Sequence, residues 1–149
     1  MKHLLSIVLL LPLLAGADMS FYRGFGTTHI FMDNTQFNNT NEVTVIKLNG
    51  LLGGGMVNSF NEAGFFVGYQ PTIYKDDKFQ IDAGLVAVTG YRRWQLPHFH
   101  NYAARYDEKV LAVLPVLSAS YQLNEYVALQ VNNMSGIVMN YGLRFDYKF

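Results

Sequence analysis

The 149-residue chain is half hydrophobic, 15% aromatic and only 15% charged, with eleven basic against eleven acidic residues. That balance excludes the basic surface that nucleic-acid binding needs, and no segment after the first carries the run of about 18 apolar, uncharged residues of a helical membrane span. The absence of cysteine excludes disulfide staples, so the aromatic residues are the expected source of stability.

Met1-Lys2-His3, the apolar run Leu4 to Leu14 and Ala15-Gly16-Ala17 have the order of a secretory signal cut after Ala17. Residues 1–17 are therefore predicted to be a signal peptide and 18–149 one mature domain, which without Lys2 has ten basic and eleven acidic residues and a net charge near −1. A first strand is predicted at about 21–31, where the pattern is mixed, followed by a long loop at 32–41. Strands at 42–48 and 51–57 flank Asn49-Gly50, a two-residue hairpin signal. After a loop at 58–64, Phe65 to Tyr74 alternates as one strand, and Lys75-Asp76-Asp77-Lys78 is a short polar turn. Phe79 to Tyr91 sets Phe79, Ile81, Ala83, Leu85 and Ala87 opposite Gln80, Asp82, Gly84, Val86 and Val88. The next loop, 92–109, leads to alternating strands at about 110–121 and 126–132, joined by the turn 122–125. From Ile137 to Phe149 the odd positions are all apolar or aromatic, while the even ones include Asn140, Arg144, Asp146 and Lys148.

The predicted fold is all-β, an eight-stranded antiparallel transmembrane β-barrel with short turns and both termini at the periplasmic end and long loops outside. The aromatic last strand ending in Phe149 resembles the assembly signal of outer-membrane barrels. A soluble lipocalin-type barrel is disfavoured because nothing in the chain is left to cover the outward aromatic face. Depth then sorts the inward residues. Phe66, Gly68, Val86, Val88, Gly90, Val110, Ala112 and Leu114 fall toward the outer end; Gln70, Thr72, Gln80, Asp82, Ser118, Ser120, Arg144, Asp146 and Lys148 fall toward the periplasm. Steric filling is the simpler meaning of this pattern. A hydrocarbon well above a charged plug is the functional one.

The topology brings His29 and Ser59 to the same outer rim, the minimum condition for a base to assist a hydroxyl. A solvated rim histidine is the bland alternative. His98-x-His100 with Asp107 and Glu108 lacks the regular spacing of a metal site, so no metal is expected. Arg92, Arg93, Trp94 and Arg105 form either a solvated loop or a contact for lipopolysaccharide phosphates.

Asn49-Gly50-Leu51, then Asn58-Ser59-Phe60-Asn61, then Val67-Gly68-Tyr69 resemble, at matching spacing, the His-Gly-Leu, Asp-Ser-Trp-Asn and Ala-Gly-Tyr segments of the lipid A palmitoyltransferase (PagP) family. Thr27-Thr28-His29 is similar to that family's Thr-Trp-His. Phe79-Gln80-Ile81 with Gly84 and Ala87, and Val113-Leu114-Pro115-Val116-Leu117, resemble later strands. The resemblance implies an outer-membrane enzyme moving an acyl chain from phospholipid to lipid A, with His29 as base, Ser59 as the catalytic hydroxyl and Asn58 where the family has aspartate. An amide there orients an imidazolium but cannot ionise. It further implies an acyl site among Phe66, Gly68, Gln70, Val86, Val88 and Leu114, with Gln70 replacing a well-lining glycine and shortening the chain accepted. The family's N-terminal amphipathic helix has no counterpart.

The expected protein is thus a monomeric outer-membrane acyltransferase with membrane lipids as partners and no cofactor. The rival is a non-catalytic outer-membrane barrel that binds lipid or another surface molecule.

Overall fold

The computed structural model describes residues 18–30, 37–92 and 109–148. The expected signal peptide, the His98 and His100 pair with Asp107 and Glu108, the loop residues Arg93, Trp94 and Arg105, and Phe149 lie outside the described residues. The strands are β1 (Asp18–His29), β2 (Val43–Leu48), β3 (Leu51–Val57), β4 (Ala63–Tyr69), β5 (Thr72–Lys75), β6 (Phe79–Arg92), β7 (Lys109–Gln122), β8 (Val127–Met134) and β9 (Val138–Lys148). Antiparallel pairing runs β4-β3-β2-β1-β9-β8-β7-β6, and β6 returns to β4. The chain is therefore a closed eight-stranded antiparallel β-barrel.

The remaining strand, β5, pairs with β6 alone and lies outside the ring. The strand expected to run unbroken from 65 to 74 is interrupted at Gln70-Pro71. Proline has no N–H for the ladder and a fixed φ, so pairing resumes at Thr72, opposite Asp82, and the register shifts between Thr72 and Tyr74.

One end of the barrel is tight. Asn49 and Gly50 close the β2–β3 hairpin with φ of 49° and 86°, the double left-handed geometry of a type I′ turn. Asp18 and Lys148 pair beside it. At the β5–β6 turn the Phe79 N–H, with the Tyr74 hydroxyl and the Lys78 N–H, holds the Asp76 carboxyl below the usual carboxylate range. At the opposite end lie the end of β1 and the start of β2, the connection 58–62, the end of β6 and the start of β7, together with a tight β8–β9 turn at 135–137. That short turn leaves a step in the wall. β8 pairs with β7 only from Val116 to Gln122, so Lys109 to Leu114 have no β8 partner among the described residues. Pro115, whose carbonyl accepts from the Ser135 N–H at 3.0 Å, sits where the pairing stops.

The pleat separates two environments. Leu85, Leu111, Val113, Phe65 and Val67 point outward and are more than half exposed, with Tyr69, Tyr74, Phe79, Tyr121, Tyr126 and Tyr147 nearer the tight end. Inside, Leu52, Met56, Phe66, Val86, Val88, Tyr91, Ala112 and Leu114 pack as one apolar cluster that reaches from Leu52, opposite Lys47, toward the loop end. Toward the tight end the lumen is polar: Gln70 donates to Ser118 Oγ at 2.7 Å, Lys47 pairs with Asp82 at 2.9 Å, and Arg144 bonds Ser120 Oγ at 2.7 Å and Asp146 at 2.8 Å. The pairing of each buried charge offsets its desolvation. This division matches the sequence expectation, except that Thr72 and Lys148 are exposed near the tight end. Lys47 and Tyr22 join the lumen from the irregular N-terminal third, where alternation had not sorted them.

Two bulges re-aim side chains at the loop end. β1 pairs Gly24 with Gly142 but Gly26 with Tyr141, leaving Phe25 as the extra, outward residue. Even residues before it (Tyr22, Gly24) are buried; odd residues after it (Thr27, His29) are buried. A regular strand would have turned His29 outward. In β6 the register shifts between Val88 and Tyr91, with Gly90 at φ 94°, and Tyr91 enters the lumen.

Candidate active site at the loop end

His29, the last residue of β1, is 3% exposed and Ser59, in the β3–β4 connection, is 5% exposed. Their side chains meet: His29 Nε2 lies 2.6 Å from Ser59 Oγ. This is nucleophile-to-base distance in a site shielded from water. The pair that sequence reasoning placed on one rim is thus in direct contact.

Neighbours hold it from three sides. His29 Nδ1 is 3.3 Å from Asn39 Oδ1, and Phe37 stacks on the imidazole with centroids 4.6 Å apart, itself met edge-on by Phe60 at 5.5 Å. The Asn38 N–H donates to the Ser59 carbonyl at 2.9 Å. The buried Asn41 amide is best placed with its NH2 toward the Asn38 carbonyl at 2.6 Å, so that its oxygen accepts from the Ser59 N–H at 3.3 Å. Below, Asn140 of β9 donates to the Gly26 carbonyl at 3.0 Å and to Thr27 Oγ1 at 3.1 Å, tying down the bulged end of β1. Gly24 is needed there, because a Cβ at that position would meet Asn140 Oδ1 at 2.0 Å.

Asn58 is not part of this constellation, which corrects the expectation that it orients His29. Its NH2 donates to the Gly90 carbonyl at 2.8 Å, and its oxygen accepts from the N–H groups of Phe60 (2.9 Å) and Glu62 (3.0 Å). It is 1% exposed and shapes the turn that presents Ser59. Asn58→Asp sets a carboxylate oxygen against the Gly90 carbonyl in place of a donor, with a buried, unmatched acceptor costing about 1–3 kcal/mol. We expect a lower unfolding midpoint and no gain in activity, measured by denaturant titration of wild type and variant side by side. Unchanged stability with raised activity would return Asn58 to the catalytic group.

The expected acyl well is largely filled. Among the described residues a cavity of ≈ 80 Å³ is lined by Phe66, Gln70 and Val86 of the expected set and also by Leu52, Met56 and Met134. Val88 and Leu114 are sealed in the apolar cluster instead. Gly68 serves β4–β6 packing, since a Cβ on it would lie 2.2 Å from the Leu85 carbonyl oxygen. Gln70 does mark the floor of the apolar half, through its bond to Ser118.

Glu62 forms ion pairs with Arg92 at 2.8 Å and Lys109 at 3.9 Å at the same end. Among the described residues no group of His, Asp or Glu is arranged to hold a metal ion. Asn39, Phe37 and Asn41 were not legible as site residues from the sequence. The asparagine-rich 38–41 stretch was the available signal, but it read only as loop. Comparison with models of known protein families and with curated proteins gives no match.

Proposed function

We propose that this chain is an outer-membrane acyltransferase that moves an acyl group from a phospholipid to an outer-leaflet acceptor, of which lipid A is the one implied by the PagP resemblance. The observation that carries the reading is the buried His29–Ser59 contact of 2.6 Å at the rim. A closed barrel with an apolar exterior is compatible with an outer-membrane location, and in that orientation the loop end faces outside.

Ser59 Oγ attacks the donor ester carbonyl while its proton passes to His29 Nε2. The proton then goes to the departing lysophospholipid oxygen, leaving an acyl-serine. In the second half His29 takes the proton of the acceptor hydroxyl, which attacks the acyl-serine, and Ser59 recovers its proton. Each half uses one base and one hydroxyl, and no cofactor is called for.

The lumen bears on where the acyl tail lies. A cavity of about 150 Å³ is the scale that admits one benzene, and ≈ 80 Å³ is roughly half of that. The tail therefore lies in the bilayer beside Leu111 and Val113, at the step where β7 has no β8 partner, and only the ester reaches the rim. This replaces the well inside the barrel and the shortened chain. Transfer should accordingly vary little among saturated donors differing by several methylenes, as read by mass spectrometry of lipid A from cells with and without the protein. A sharp chain-length optimum would instead put the tail in the lumen.

The filled lumen also favours a second reading, a non-catalytic surface barrel. Lipid pools unchanged by expression, in mass spectra of both lipid A and phospholipid, would select it.

A further inference from the structure

We propose that Asn39 is the positioning residue that fixes the His29 tautomer, and that residues 37–41 form a strap binding the histidine to the serine. The inference deepens the acyl-transfer reading and takes its chemical meaning from it, while its geometry stands apart.

A neutral imidazole carries one N–H and one bare nitrogen, and the bond made by one nitrogen decides the state of the other. His29 accepts a proton from Ser59 only if Nε2 is bare. The Asn39 side-chain oxygen has no proton to give, so at 3.3 Å from Nδ1 it calls for the N–H at Nδ1. Nε2 is then the acceptor facing Ser59 Oγ at 2.6 Å. A direct bond to the acyl-transfer base is what an orienting third group requires, and an amide serves this role in some catalytic triads.

The main chain keeps this amide in place. The Asn39 carbonyl accepts from the Thr27 N–H at 2.9 Å, two residues before His29 on β1. Asn38 folds the turn by accepting from the Thr40 N–H and hydroxyl, each at 2.9 Å, while its own N–H holds the Ser59 carbonyl at 2.9 Å. Phe37 covers the ring face and limits its rotation. One five-residue segment thus holds Ser59 and the end of β1 by backbone bonds and brings one side-chain acceptor to His29 Nδ1. Asn58, adjacent to Ser59 in sequence, makes none of these contacts.

The test is long-range ¹H–¹⁵N spectroscopy of the mature chain refolded in detergent micelles and labelled on histidine, with His29 assigned by the signal lost in His29→Gln. At a pH where the ring is neutral, the wild type should show the proton on Nδ1. Asn39→Leu removes the acceptor at similar volume; it should yield a tautomer mixture and cut transfer about 10-fold or more. Asn39→Asp restores an acceptor and should restore the Nδ1–H form. A proton on Nε2 in the wild type, or a tautomer indifferent to Asn39→Leu in a folded barrel, overturns the proposal. The two claims fail separately. Tautomer control by Asn39 in a chain that transfers no acyl group removes the acyl-transfer reading and leaves the positioning intact; transfer without tautomer control does the reverse.

Discussion

Ser59→Ala and His29→Ala are each expected to lower acyl transfer by on the order of 10²-fold or more while the barrel stays folded. The size follows from the chemistry divided between the two groups. Without the hydroxyl there is no acyl-serine, and without the imidazole the hydroxyl attacks with its proton still attached. Because the two act as a unit, the double variant should be little worse than either single one. Folding should survive, since the barrel is closed by its strand pairing and by the lumen packing, neither of which depends on this pair. The measurement is product lipid by mass spectrometry, alongside the heat-dependent gel mobility that reports an intact barrel. A Ser59→Ala barrel that keeps half its activity would remove the serine from the mechanism.

The second large effect tests the solvent outside the barrel. Leu85 is at the middle of β6, points outward and is 58% exposed. If that surface faces hydrocarbon, Leu85→Arg should cost about 2–4 kcal/mol, whereas Phe79→Arg at the tight end of the same strand should cost about 1 kcal/mol or less. In water, exposed substitutions of this kind stay within about 0.5 kcal/mol at either depth. Denaturant unfolding from lipid vesicles reads the difference directly. A flat response to depth would mean that no bilayer surrounds the barrel, and with it the outer-leaflet substrates would fall. The inward side of β6 makes the contrast plain: Asp82, three residues from Leu85, tolerates burial because Lys47 meets it at 2.9 Å and Thr72 and Gln80 donate to its carboxylate at 2.6 and 2.9 Å.

Much of this molecule was written locally. The alternation in β9 sorted Tyr141, Leu143 and Phe145 from Asn140 and Arg144, and Asn49-Gly50 announced its own turn, because pleat and turn geometry depend on adjacent residues alone. Loop lengths then sent His29 and Ser59 to one rim. Tertiary structure decided the rest. The facing of His29 depends on the bulge at Phe25, which forms because β9 pairs on both sides of it and Asn140 binds the Gly26 carbonyl 114 positions away in sequence. The choice of Asn39 over Asn58 beside the imidazole depends on how two connections fold against each other across the rim. The filling of the apolar half depends on Phe66, Met56 and Tyr91 meeting from three strands. Periodicity assigns each strand a face, but only closure brings the faces together, and bulges, partners and free volume are properties of that meeting.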